Sequence, residues 1–180
     1  MLFGRDKTMI DEKIEARLVR LLSESGKTVA TSESCTGGLL SKRITDIAGS
    51  SAVFGYGVCT YANEAKEKLL SVRHETLETH GAVSPETALE MARGMLRLSG
   101  ADIAVSTTGI AGPDGGTAQK PVGLVYTAVA AKDGRETVKE LRLGNIENAC
   151  RDTIRSAAAD EALLLVYETL LSSEKSEKST

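Results

Sequence analysis

The chain has 180 residues, 41% hydrophobic and 26% charged, and a mass of 19.0 kDa, which suits one globular domain. Its 22 Lys and Arg against 25 Asp and Glu give a net charge of -3, which excludes the broadly basic surface that a nucleic-acid backbone demands. Aromatics are 3% with no Trp, so base-stacking platforms and aromatic cages are poorly supplied.

Ile10, Ile14, Leu18 and Leu21 share one face of a predicted helix over 10–22, with Gly26 as its stop. Thr28 to Thr31 reads as a short buried strand, followed by the loop Ser32-Glu33-Ser34-Cys35-Thr36-Gly37-Gly38. Leu39, Leu40, Ile44 and Ile47 then fall at helical spacing before Gly49. Val53 to Ala62 reads as a strand, with Gly55 and Gly57 marking a bulge or a close backbone approach. Asn63 is placed as the cap of a helix over 64–70. Ser84-Pro85-Glu86 opens another helix, with Ala88, Met91, Met95 and Leu98 on its apolar face.

Ala101 to Ser106 reads as a strand leading into the glycine loop Thr107 to Gly116. Strands over 122–131 and 136–143 meet at the turn Lys132-Asp133-Gly134-Arg135. A long helix spans 151–171, and Ser172 to Thr180, with no apolar residue, reads as a disordered tail after a domain over 9–171. Helices mostly alternate with strands and one hairpin comes late, which predicts an α/β sandwich with a mixed sheet of about five strands.

The three cysteines, Cys35, Cys59 and Cys150, are odd in number and widely spaced, which reads as free, mostly buried thiols in a reducing compartment. With only His74 and His80 as histidines, no zinc-ligand spacing exists and no metal or other cofactor is expected. Met1 to Lys13 lacks the apolar core of a signal peptide, and no apolar run approaches membrane length. The expected setting is cytoplasmic.

Three segments carry chemistry. Glycines before a helix, as at Thr36, Gly37 and Gly38, free backbone donors for an anion, and Ser34 and Thr36 add hydroxyls. A phosphate site and a capped turn fit that segment equally. It has neither P-loop nor dinucleotide spacing. Cys35 invites a thiol nucleophile, but no base lies near it in sequence. Gly49-Ser50-Ser51, Tyr61 and Lys66 form the second set. A serine nucleophile needs a base, and both histidines lie in a charged stretch, 73–80. Lys66 falls in the first turn of its helix, where the dipole disfavours a cation. On the residues alone, a solvated lysine beside Glu67 and Lys68 is the simpler reading. The loop Thr107 to Gly116, with Thr108, Gly109 and Gly112, suits an oxyanion hole or a ligand lid.

Taken together, Thr31–Gly38, Thr45–Ser51, Thr60–Lys66, Thr108–Gly116 and Lys120–Gly123 resemble the CinA C-terminal domain family, over about 14–170. The resemblance implies a three-layer α/β/α sandwich, a homo-oligomer, and the stand-alone rather than the fused form. Several members are nicotinamide-nucleotide amidohydrolases, which convert nicotinamide mononucleotide and water to nicotinate mononucleotide and ammonia. It further implies Ser51 as nucleophile, Lys66 as its base, Tyr61 as their helper, and Ser34 and Thr108 in the substrate site. Relatives often carry Gly-Asp-Arg before the last helix, whereas this chain has Gly144-Asn145-Ile146-Glu147. Arg151 is the arginine expected to substitute for it. That departure supports an alternative expectation, a non-catalytic nucleotide-binding or regulatory module.

Overall fold

The structure, a computed structural model, describes residues 12–177. Its elements run α1 (Ile14–Ser25), β1 (Val29–Glu33), α2 (Leu39–Thr45), β2 (Phe54–Cys59), α3 (Asn63–Leu70), α4 (His74–His80), α5 (Pro85–Ser99), β3 (Ile103–Gly109), β4 (Leu124–Ala131), β5 (Glu136–Arg142) and α6 (Arg151–Glu177). Short 3-10 turns cover Ser50–Ala52 and Leu143–Asn145. The five strands form one sheet in the order β2-β1-β3-β4-β5. β1 pairs in parallel with β2 and β3, and β3-β4 and β4-β5 are antiparallel. The mixed five-stranded sheet is the one that the alternation of elements predicts, and the three-layer α/β/α sandwich is the one that the resemblance implies.

Each sheet face has its own side-chain size. Val29, Ile103, Val105 and Val129 face α1, α2 and α6, against Leu18, Leu22, Leu40, Ile44, Leu163 and Val166. The opposite face presents Ala30, Ala104, Ala128 and Ala130 to α3, α4 and α5, where Leu70, Leu77, Met91 and Met95 fill the space. Register sets Ala30 beside Ala104 and Ala104 beside Ala130, so α5 lies on a smooth alanine strip. α3 packs closely on α5 at Gly94, whose missing Cβ would fall on the Leu70 carbonyl.

The first helix begins at Ile14, and Ile10 lies outside the described residues. β1 and β3 run further than expected and absorb Ser32, Glu33, Thr107, Thr108 and Gly109. Asn63 is the first residue of α3 rather than its cap. The expected disordered tail is corrected in part: α6 continues through Glu177, and 178–180 lie outside the described residues. All three cysteines are free, but only Cys35 is buried, against the expectation of mostly buried thiols. Among the described residues, no helix is long and apolar enough to cross a membrane and no metal-ligating cluster forms.

α2 is only seven residues long, and its cap comes from inside the sheet. Glu33 ends β1 fully buried. Its Oε2 accepts from Thr36 Oγ1 at 2.7 Å, Gly38 N at 2.9 Å and Leu40 N at 3.1 Å. Its Oε1 accepts from Ser41 N at 3.0 Å and Ser41 Oγ at 2.8 Å. A helix N-terminus leaves its first N–H groups unpaired, and here one carboxylate takes three of them.

Two outcomes follow for stability. Gly94→Ala forces a methyl onto the Leu70 carbonyl and lowers the unfolding free energy by about 1–3 kcal/mol, read by urea titration. Glu33→Gln turns an amide NH2 toward N–H and O–H donors. Leaving buried donors unpaired costs roughly 1–3 kcal/mol each, so this variant loses at least about 2 kcal/mol in the same titration.

Candidate active site at the carboxyl ends of the parallel strands

The chain leaves β1 into α2 on one sheet face, and leaves β2 into α3 on the other. Neighbouring parallel strands whose helices depart to opposite faces leave a crevice at their carboxyl ends. Ser34 follows β1 directly, and Thr60, Tyr61 and Lys66 follow β2. The crevice therefore collects these residues by topology.

Lys66 is the largest fully buried side chain, 1% exposed. Its Nζ lies 2.7 Å from the Thr60 carbonyl oxygen, 3.1 Å from the Tyr61 carbonyl oxygen and 3.1 Å from Ser34 Oγ. Burial pushes its pKa down to about 8, against a small opposing effect from Cys35. The three partners suit a base. A neutral amine has two protons and one lone pair. When protonated, Nζ donates to Ser34 Oγ as well as to the two carbonyls; when neutral, its two protons go to the carbonyls and its lone pair is left for the Ser34 hydroxyl. No carboxylate bonds to Nζ to hold the charged form.

Ser34 is 8% exposed. The N–H groups of Cys35 and Thr36 follow it and take no main-chain acceptor. Thr60 is fully buried, with its Oγ1 unpartnered. Cys35 packs with Ala111 and Ile154. These two residues also line a cavity of 460 Å³ with Pro113, Val122, Cys150 and Arg151. Arg151 donates to the Gly112 carbonyl at 2.8 Å and to Tyr61 Oη at 3.2 Å, so it ties the loop after β3 to the turn after β2. Tyr61 itself is 63% exposed.

The pairing of Ser51 with Lys66 does not form within one chain. Ser51 is exposed in the turn before β2, whereas Lys66 is anchored on the turn after it. A six-residue strand at ~3.3 Å per residue separates the two ends by roughly 20 Å. Ser34 takes the place beside Lys66. The phosphate reading of the first glycine loop is likewise corrected, because Glu33 occupies the helix N-terminus that an anion would use. Thr36 and Gly38 serve that cap, and Thr36 also shares a 2.7 Å hydrogen bond with Thr107 Oγ1. Gly37 lies against Arg155, whose Nη2 donates to the Thr36 carbonyl at 2.7 Å.

Thr108 is 1% exposed and donates to the Ala82 carbonyl at 2.6 Å. Gly109 ends β3 where β4 comes too close for a side chain, with Val125 and Leu124 in the way. Thr108 is thus held by the main chain and Gly109 by the close approach of β4. A reactive Cys35 is also corrected: burial pushes its thiol up to about 12. Glu33, Thr60 and Arg155 are the residues the sequence analysis did not single out. The Glu33 position inside a hydroxyl-rich strand end was the available signal.

The family model of the CinA C-terminal domain matches residues 11–170. A putative competence-damage inducible protein of Caldanaerobacter subterraneus subsp. tengcongensis is 51% identical over 160 residues, covering 89% of this chain and 38% of that protein. A CinA-like protein of Syntrophomonas wolfei is 56% identical over 150 residues, covering 83% and 35%. The chain thus spans under two-fifths of the length of these relatives. Among solved structures, the competence/damage inducible protein CihA from Agrobacterium tumefaciens superposes with a TM-score of 0.83 at 48% identity, covering 86% of this chain and 92% of that one. A CinA superfamily protein from Escherichia coli gives 0.80 at 30% identity, covering 93% and 95%. The chain belongs to the CinA C-terminal domain family.

Proposed function

We propose that this domain is an amidohydrolase that converts nicotinamide mononucleotide and water to nicotinate mononucleotide and ammonia. The observation that carries the reading is the buried Lys66 amine, 3.1 Å from Ser34 Oγ, with its other two directions filled by carbonyl oxygens. Ser34 is the nucleophile in this reading, in place of Ser51. Oγ attacks the carboxamide carbon as its proton passes to neutral Lys66. The N–H groups of Cys35 and Thr36, which take no main-chain acceptor, are the donors we assign to the developing oxyanion. Lys66 returns the proton to the leaving ammonia. Water, deprotonated by the same amine, then hydrolyses the acyl ester and frees the carboxylate.

Substrate identity is inferred from the family resemblance together with the adjoining cavity. Ala111, Val122 and Ile154 give that cavity apolar walls, and Arg151 gives it a cation. A flat pyridine ring and an anionic phosphate need those two surfaces. The substrate is a small nucleotide, without nucleic acid, membrane or cofactor, and the setting we assign is cytoplasmic.

Ammonia release from nicotinamide mononucleotide tests the reading. Ser34→Ala and Lys66→Ala each lower turnover by about 10²–10⁴-fold, and Ser51→Ala lowers it less than either. The base is active when unprotonated. Its lowered pKa therefore places the inflection near 8, and kcat/KM falls as pH drops below it, about tenfold per unit. Turnover that survives Lys66→Ala overturns the mechanism. Calorimetric binding of nicotinamide mononucleotide without ammonia release would instead assign the non-catalytic module.

A further inference from the structure

The two ends of α3 serve different cavities. Lys66 lies in its first turn and reaches the crevice, whereas Ser71 caps its last turn. Around that cap a cavity of 230 Å³ is lined by Ser71, Arg73, Glu90, Arg93 and Arg97. It shares no lining residue with the cavity beside the Ser34–Lys66 crevice. Its walls carry three guanidinium groups, one carboxylate and no apolar residue.

The turn after α3 and one row of α5 build this convergence. Glu90, Arg93 and Arg97 fall at i, i+3 and i+7 on α5, which sets them along one face. Ser71 takes a left-handed conformation, with φ at 56°, and ends α3. The chain then meets α5 at Glu90. Arg73 N donates to Glu90 Oε2 at 2.8 Å, and Arg73 Nε donates to Oε1 at 2.8 Å. Thr76 Oγ1 also donates to Oε1, at 2.8 Å.

The acceptors are thereby spent while donors remain. Both oxygens of Glu90, the lone carboxylate in the lining, are committed to Arg73 and Thr76. Glu75 acts on Arg73 from outside the lining. Arg93 is also held from outside the lining, by Glu136, through Nε at 2.7 Å and Nη2 at 2.5 Å. Its Nη1 is left over. Arg97 has no carboxylate partner among the described residues, and its Nη2 reaches the Leu70 carbonyl only at 3.4 Å, beyond the usual range of an N–H bond to oxygen. Guanidinium groups gathered at one cavity repel each other unless an anion joins them.

We propose that this cavity binds a dianionic phosphoryl group, as inorganic phosphate or as the phosphate of a monoester, with Arg93 and Arg97 as its main donors. Guanidinium forks match phosphate oxygens in pairs. A nucleobase or other flat ring needs apolar walls, and this lining has none, so the remainder of an ester stays in solvent. The site rests on these residues alone and does not depend on the amidohydrolase reading.

Titration with inorganic phosphate, followed by proton–nitrogen correlation spectra, tests it without any turnover assay. In about 0.15 M salt, the Ser71 amide and the Nε–H signals of Arg93 and Arg97 shift and saturate, with a Kd of about 1 mM or tighter. Arg97→Gln and Arg93→Gln, each with native circular dichroism, weaken binding at least about tenfold. Arg151→Gln leaves the shifts intact. Glycerol phosphate separates the two sources: retained affinity assigns a monoester, lost affinity assigns the free ion, and both keep the proposal. The absence of saturable shifts at these residues overturns it. So does an affinity unchanged in Arg97→Gln, or binding abolished by Arg151→Gln, which would place the ion at the crevice.

Discussion

The arrangement depends on one buried carboxylate. Glu33 sits at the point where β1 stops and the chain must turn into a short helix, and its two oxygens gather five donors. Burying a charged group costs several kcal/mol unless hydrogen bonds replace its water. Three main-chain N–H groups at a helix N-terminus do that, and the helix gains a cap it otherwise lacks. The cap fixes Thr36 through Ser41. Ser34 is thereby held between a strand end and a capped turn, and its hydroxyl faces the neighbouring strand's exit. The carboxylate fills the anion site that the glycine loop would otherwise offer.

Lys66, which with Glu33 is a charged side chain almost wholly removed from solvent, is treated in the opposite way. Glu33 is given every donor it can use, while Lys66 is given two main-chain carbonyls and one hydroxyl. Carbonyl dipoles compensate an ammonium less well than water does, so the neutral amine gains. Glu33 acts on Cys35 and Cys59, and raises both thiols alongside the larger effect of burial. Lys66 stays lowered because its burial outweighs the opposing effect of Cys35. Acid and base are kept apart by what each is bonded to.

Much of this was legible in the residues. The helical spacing of Leu39, Leu40 and Ile44, the Ser84-Pro85 start and the late hairpin each rest on local rules, and local rules predict elements well. The same rules miss what depends on the sheet. α4 shows no apolar periodicity, since only Thr76 and Leu77 of its seven residues are buried. Glu33 was unreadable as a cap because a cap is sought next to its helix, and this one sits six residues before it. The choice between Ser34 and Ser51 had the same root. Both serines lie in glycine-containing turns at the end of a strand, and spacing does not say which end faces Lys66. Strand order decides it: β1 and β2 are parallel, so the residue after β1 and the residues after β2 share an edge while the residue before β2 does not.

The composition takes on a meaning at this edge. The buried polar side chains are mostly hydroxyls, among them Thr31, Ser32, Ser34, Thr36, Ser106, Thr107, Thr108 and Thr127. They line the central strands that run into the crevice. A hydroxyl both donates and accepts, so it is buried at little cost beside a carbonyl. Ser106 uses the Ala88 carbonyl, Thr127 the Ser106 carbonyl and Thr108 the Ala82 carbonyl. The sheet thereby stays polar toward its carboxyl edge without spending charges there. Thr60 breaks the pattern, since its Oγ1 is buried and unpartnered beside the carbonyl that holds Lys66. With Ser106, Thr108 and Thr127 satisfied by main-chain carbonyls, Thr60, Ser34 and Lys66 supply the polar chemistry that the crevice can direct at something other than itself.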